Sequence, residues 1–321
     1  MGKTGNVYDA VVVGGGAAGL SGAVALARSR RSVLVVDAGQ QRNAPAAAMH
    51  NYLGREGLNP LELVRLGGGE LAGYGGEVVR AAVTGVERLT GPAGFRVTLD
   101  NGTTVRARRL LVATGLRDEL PAVEGLADRW GNDVIHCPYC HGYEHRDRAI
   151  GVLASNPMVM HQALMFRQLS PDVVVFTHTA PALAAGDRER LDALGVRVVE
   201  GEVAAVQAGP AGLGGVRLVT GEVVPRQVLV VAPRFAARLE GLEGLGLEVT
   251  SPEVDGFVLG TSVVADPSGK TPVPGVWAAG NVTSTAAQVV VAAGQGLTAG
   301  AQINFDLILE DAALAVRAGA R

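Results

Sequence analysis

A short apolar run, Tyr8-Asp9-Ala10-Val11-Val12-Val13, stands near the start of the chain and is rich in β-branched residues. Such a run predicts a strand buried on both faces, as in a parallel sheet. The alanine-rich stretch from Leu20 to Arg28 predicts a helix, and Ser32-Val33-Leu34-Val35-Val36 a second buried strand that ends on Asp37. The same alternation returns in mid-chain. Ala149–Ala154 reads as a strand, Met158–Leu169 as a helix and Asp172–Phe176 as the next strand. From Val196 to Val231 apolar and polar positions alternate, which predicts a small β meander. Pro274–Val282 reads as a strand entering a tight turn, and a helix begins at Ala286-Ala287-Gln288-Val289 and runs through Ala292-Ala293-Gly294. Strands alternating with helices place the chain in the α/β class.

Between the first strand and helix lies Gly14-Gly15-Gly16-Ala17-Ala18-Gly19, a G-x-G-x-x-G. Glycines let a backbone approach a pyrophosphate, and the following helix N-terminus supplies N–H donors. An acid about 20 residues on, here Asp37 followed by Ala38, accepts from a ribose hydroxyl. A lone glycine motif is weak evidence. This one has the strand before it, the helix after it and the acid at the right distance, and so predicts a dinucleotide site.

Composition narrows the partners. The 321 residues fit one large or two medium domains, 48% are hydrophobic, and the net charge is −3. No basic surplus points to nucleic acid or an anionic membrane, and aromatics at 4% offer no stacking surface for bases. Met1-Gly2-Lys3-Thr4 lacks the blocks of a signal peptide, and no apolar stretch is long enough to span a bilayer. The expectation is a cytoplasmic protein that binds neither nucleic acid nor membrane.

Both cysteines fall in one tetrapeptide, Cys137-Pro138-Tyr139-Cys140, between His136 and His141. Two cysteines at i and i+3 close and reopen a small disulfide, and nearby positive charge raises the reactive thiolate fraction. A structural zinc would need four ligands, and two histidines directly beside the two cysteines strain a tetrahedron. A structural disulfide over so short a loop removes little unfolded-chain entropy. The pattern therefore predicts a redox-active pair and no metal site. C-P-Y-C also occurs in glutaredoxin, but there near the start of a small domain.

Taken in order, these segments resemble the low-molecular-weight thioredoxin reductase family of flavoproteins. Asn51-Tyr52-Leu53-Gly54 is similar to its N-[YW]-P-G loop near the flavin, with leucine for proline. Leu111-Val112-Ala113-Thr114-Gly115 is similar to its A-T-G strand end. Pro274–Val289 is similar to the strand, turn and helix that close over the ribitol and flavin. Asn281 stands where the family usually has Asp, and Ala287 where it often has Arg. The resemblance implies FAD as cofactor, held by Gly14, Gly16, Ala17, Ala18, Gly19, Asp37, Ala38, Arg42, Asn51, Ala113, Thr114, Gly115, Gly280, Asn281, Gln288 and Val289. It implies two Rossmann-like (three-layer ββα) domains. The FAD domain is discontinuous, over residues 1–117 and 246–321, and an NAD(P)-binding-like domain carrying the cysteines is inserted at 118–245. A homodimer is implied by the resemblance alone.

The inserted domain departs from the family where NADPH would bind. Its turn reads Leu153-Ala154-Ser155-Asn156-Pro157-Met158, with side chains where glycines are needed, and Pro157 removes an N–H from a phosphate-binding region. After the next strand comes Thr177-His178-Thr179-Ala180-Pro181, without the family's arginine pair. This predicts a scaffold that no longer takes hydride from a nicotinamide. A subset of the family runs the reverse reaction: the dithiol oxidases that form the disulfides of gliotoxin and holomycin. Their Cys-x-x-Cys-His-Gly resembles Cys137 to Gly142, whereas the reductases usually carry Asp after the second cysteine. The resemblance implies a small-molecule dithiol as substrate, attack on Cys137, Cys140 as the sulfur nearer the flavin, and O2 reduced to H2O2. His141 is the first candidate base and His136 the second. His50, His145, His161 and His178 are read as loop or surface residues. The alternative is a thioredoxin-type disulfide reductase fed by NADPH or another donor.

Overall fold

The computed structural model describes residues 7–91 and 94–319; the Met1-Gly2-Lys3-Thr4 reading lies outside them. The first valine run is β1 (Val7–Val13), with Val11 and Val12 fully buried. It leads through the glycine turn into α1 (Ala17–Arg28) and on to β2 (Val33–Asp37). After α2 (Pro60–Gly73) come β3 (Glu77–Arg80), β4 (Val83–Arg88), β5 (Phe95–Leu99) and β6 (Thr104–Val112). β1 lies between β2 and β6, both parallel to it. β6 then serves two partners. Its first half pairs antiparallel with β5, and its last residues pair in parallel with Val276–Ala278, which returns from the far end of the chain. The helix that follows, α5 (Val289–Gly319), packs on α1.

A second sheet forms within residues 134–231. It is parallel throughout, in the order β11 (Arg197–Val199), β10 (Val173–Phe176), β9 (Ile150–Leu153), β15 (Val228–Val231), β8 (Val134–Ile135). α3 (Val159–Arg167) and α4 (Ala185–Ala193) form the crossovers, and each sheet has its own apolar core. The expected meander is β12 (Val203–Gly209), β13 (Gly212–Leu218) and β14 (Val223–Val224). β15 differs from that expectation: its four buried residues join the parallel sheet, because a continuous valine run suits a strand covered on both faces. The chain passes between the two sheets along β7 (Leu116–Glu119) and β16 (Arg234–Ala237), which pair antiparallel. Among the described residues no helix is long and apolar enough to cross a membrane.

Candidate active site

A cavity of about 950 Å³ opens at the C-terminal ends of β1, β2 and β6 and reaches the cysteine pair. Its floor is set by backbone approach. Gly14 sits at φ +106, and a Cβ there would stand 2.3 Å from the Ala113 carbonyl oxygen. Gly16 precedes α1, no side chain caps the helix, and no atom lies within 4 Å of where its Cβ would be. The first N–H groups of α1 thus have room and donors for a phosphate. Asp37 accepts from the Gly15 N–H at 3.1 Å and from Gln41 Nε2 at 3.0 Å, which holds its carboxylate at the cavity edge.

Other expected contacts gather on the same wall. Ala17, Ala18, Ala38, Ala113, Thr114, Gly115, Gly280, Asn281, Gln288 and Val289 all line it. Thr114 Oγ1 donates to the Arg238 carbonyl at 2.6 Å. Asn281 spends its amide on the turn, donating to the Ser284 and Ala287 carbonyls at 3.0 and 2.9 Å. Gln295 on α5 accepts from the Gly280 N–H at 3.0 Å, a support that the sequence reading missed. The donor set, the acid and the volume fit a dinucleotide such as FAD.

Two expected contacts are placed elsewhere. A Cβ on Gly19 would stand 1.9 Å from the Gly14 carbonyl oxygen, so Gly19 lets α1 close on β1 rather than facing the cavity. Asn51, at φ +60, turns its Nδ2 to the Tyr139 carbonyl at 2.6 Å. Arg42 does line the cavity, yet its guanidinium forks onto Asp118 at 2.8 and 2.7 Å and lies over the Phe235 ring.

Cys137 and Cys140 are joined as a disulfide with Cα atoms 5.2 Å apart, and both line the cavity. Cys137 stands before the helical turn Pro138–Gly142, and its Sγ accepts from the Cys140 N–H at 3.1 Å. His136 and His141 line the cavity on either side of the pair. Burial pushes both imidazoles below the usual range, and the neighbouring His145 adds to the effect on His141. His136 Nδ1 lies 3.0 Å from the Val231 carbonyl, and its ring meets Phe235 edge-on.

Of the four histidines read as loop or surface residues, His50 and His161 line the cavity. His50 bridges Glu56 at 2.5 Å and Glu144 at 3.5 Å. His145 reaches the Asn132 carbonyl at 3.1 Å, and the His178 ring accepts from the Val203 N–H at 3.1 Å. Nothing local in the sequence marks His50 or His161, since each is brought to the cysteines by tertiary packing.

The mid-chain turn is closed by its own side chains. Asn156 is buried; its Oδ1 accepts from the Met158 N–H at 2.9 Å and its Nδ2 donates to the Ala232 carbonyl at 2.9 Å. That uses an N–H at the entry to α3 and ties the turn after β9 to the strand end at Ala232. Among the described residues no group of three or more His, Cys, Asp or Glu is placed to hold a metal ion.

Comparison with known proteins agrees with this arrangement. Residues 8–296 match the family described as pyridine nucleotide-disulphide oxidoreductase. Thioredoxin reductase tcpT of Claviceps purpurea (strain 20.1) is 31% identical, over 96% of this chain and 97% of its own. Thioredoxin reductase sirT of Leptosphaeria maculans is 30% identical over the same shares. The crystal structure of HlmI superposes with a TM-score of 0.89 at 45% identity, covering 98% of this chain and 96% of that one.

Proposed function

The chain belongs to the pyridine nucleotide-disulphide oxidoreductase family as a flavin thiol/disulfide oxidoreductase, and from that premise we propose that it is an FAD-dependent dithiol oxidase. It closes an intramolecular disulfide in a small-molecule dithiol, with O2 as acceptor and H2O2 as product. The observation that carries this reading is the closed turn at Asn156, which leaves a second Rossmann sheet without a free cradle for NADPH's pyrophosphate. The stretch after β10 supports it further, since Thr177 to Pro181 carries no guanidinium for a 2′-phosphate. The redox centre followed by His141-Gly142 points the same way.

The chemistry follows from the disulfide. A substrate thiol gives its proton to an imidazole, His141 or His136, and the thiolate attacks Cys137 Sγ. The Cys137–Cys140 bond breaks and Cys140 leaves as thiolate. The second substrate thiol then loses its proton and displaces Cys137, releasing a cyclic disulfide and leaving two electrons on the cysteine pair. When bound, FAD supplies the two-electron acceptor between Cys140 and molecular oxygen. We place the FAD domain at residues 1–117 and 246–321 and the inserted domain at 118–245, in a cytoplasmic homodimer.

The test is anaerobic bleaching of the yellow protein by NADPH and by a model dithiol in parallel. Bleaching by the dithiol alone, with colour and peroxide returning in air, is the expected result. Rapid bleaching by NADPH makes the protein a thioredoxin-type reductase instead.

A further inference from the structure

Gln162 lies on α3, the helix whose entry Asn156 closes, and is only 3% exposed. Its side-chain amide reaches His136 Nδ1 at 3.1 Å. We propose that His136 is the proton acceptor for the thiol that attacks Cys137, and that Gln162 is the residue that positions it. The proposal rests on the dithiol-oxidase reading and goes beyond it in assigning the proton at the attacked sulfur.

Which ring nitrogen of His136 carries the proton decides whether the other can take one from a thiol. Nδ1 lies 3.0 Å from the Val231 carbonyl, and a carbonyl only accepts. The proton therefore sits on Nδ1, and Nε2 keeps its lone pair. Gln162 must then present oxygen rather than nitrogen to Nδ1. The amide's other contact, to the His136 carbonyl, is long at 3.4 Å, so turning it over loses little. The outer oxygen of the amide makes no hydrogen bond where it stands, so turning the amide over breaks none there. Nε2 makes no hydrogen bond among the described residues, and His136 lines the cavity beside Cys137. The ring is braced on its other side by Phe235 at 5.2 Å. The charged and titratable groups that face it are Arg42, Asp118 and His161.

The step balances without any further reactant. The substrate S–H gives its proton to Nε2, the new bond runs from substrate sulfur to Cys137 Sγ, and the Cys137–Cys140 bond breaks. The sulfur pair of the protein is reduced as the substrate sulfur is oxidised. When the second substrate thiol displaces Cys137, its proton passes to the departing Cys137 sulfur, while the first proton stays on the imidazolium opposite the Cys140 thiolate, so both substrate protons are placed. A helix that in a nucleotide-binding unit begins at the phosphate turn serves here to hold the base.

The experiment follows loss of the disulfide in the anaerobic holoprotein mixed with dithiothreitol, by alkylation quench and mass, from pH 5.5 to 8.5. Gln162→Leu is expected to lower the plateau rate roughly tenfold, the worth of one well-placed hydrogen bond. Gln162→Glu keeps an acceptor on Nδ1–H. It is expected to hold the plateau within about twofold and to shift the acid limb to higher pH, because a carboxylate favours the imidazolium. Equal losses in both variants with an unshifted limb, or no loss in Gln162→Leu, overturn the proposal. Imidazole nitrogen spectra of the wild-type protein at pH 8 test it without any variant: a proton on Nδ1 is expected, and one on Nε2 overturns it. Those spectra decide the matter even if the wild-type flavin proves to answer to NADPH alone, which would sink the oxidase reading and not the assignment of the proton.

Discussion

Asn51 donates its side-chain amide to the Tyr139 carbonyl at 2.6 Å, tying a loop of the first sheet's domain to the turn that holds both cysteines. The loop is itself braced, since the Asn51 N–H donates to Glu56 at 3.0 Å and His50 spans Glu56 and Glu144. The bond fixes where the disulfide stands against the dinucleotide cavity. A single hydrogen bond of this kind contributes about 1 kcal/mol net, a factor of roughly five to ten in an equilibrium. Asn51→Ala is expected to slow dithiol reduction of the flavin by about that factor while leaving flavin content unchanged. Stopped-flow bleaching against the visible absorbance of the resting protein checks both halves. Loss of bound flavin in the variant would show instead that Asn51 holds the cofactor.

Asn156 offers a second test, because its two hydrogen bonds hold the turn between β9 and α3. Removing the side chain leaves the Met158 N–H without its partner and the Ala232 carbonyl with only the long 3.4 Å bond from Ser155 Oγ. Each such loss costs about 1–3 kcal/mol. Asn156→Gly is therefore expected to lower the urea midpoint clearly. It is not expected to create NADPH-dependent bleaching, since no arginine or lysine stands in Thr177–Pro181 to take a 2′-phosphate. Rapid bleaching by NADPH in the variant would mean that Asn156 alone was the block.

Much of the first site was legible because its signals are local. A valine run, the three glycines of the motif, an alanine-rich helix and Asp37 lie within the 30 residues from Tyr8 to Asp37, and each dictates its own geometry. The cysteine pair was legible for the same reason. What could not be read are contacts closed by the fold. Arg42 meets Asp118 across 76 residues, Asn51 meets Tyr139 across 88, and Gln162 meets His136 across 26. No periodicity relates such pairs. Val228–Val231 was also beyond reach, because a short apolar run has the same pattern at the end of a meander and inside a parallel sheet.

The two cysteines are not equivalent once reduced. Cys137 Sγ accepts from the Cys140 N–H at 3.1 Å at the start of a helical turn, an arrangement that favours its thiolate. In single variants under air-free conditions, Cys137 in Cys140→Ser is expected to react with iodoacetamide at pH 7 several-fold faster than Cys140 in Cys137→Ser. The rates are read by mass. Faster alkylation of Cys140 would reverse the assignment of the attacked sulfur.

Acidification gives a further test with a definite sign. Burial holds His136 and His141 below 6.5 in the folded protein, and His145 and His178 are lowered for the same reason. Unfolding releases them to take up protons once the pH drops below about 6.5, so the unfolded chain binds more protons and stability falls with pH in that range. Above about pH 7 the penalty is absent; below the folded values it is complete. The carboxylates lowered by arginine or histidine partners, Glu119 and Glu56 among them, act in a separate window, losing their contribution only as pH falls from 4.5 downward. Urea midpoints should therefore drop between pH 7.5 and 5.5, before the acidic groups titrate. His136→Gln should remove part of that drop, because an amide takes up no proton on unfolding. A midpoint that is flat between those two values, or a variant whose slope equals that of the wild type, would show that the imidazole is not held neutral by its burial.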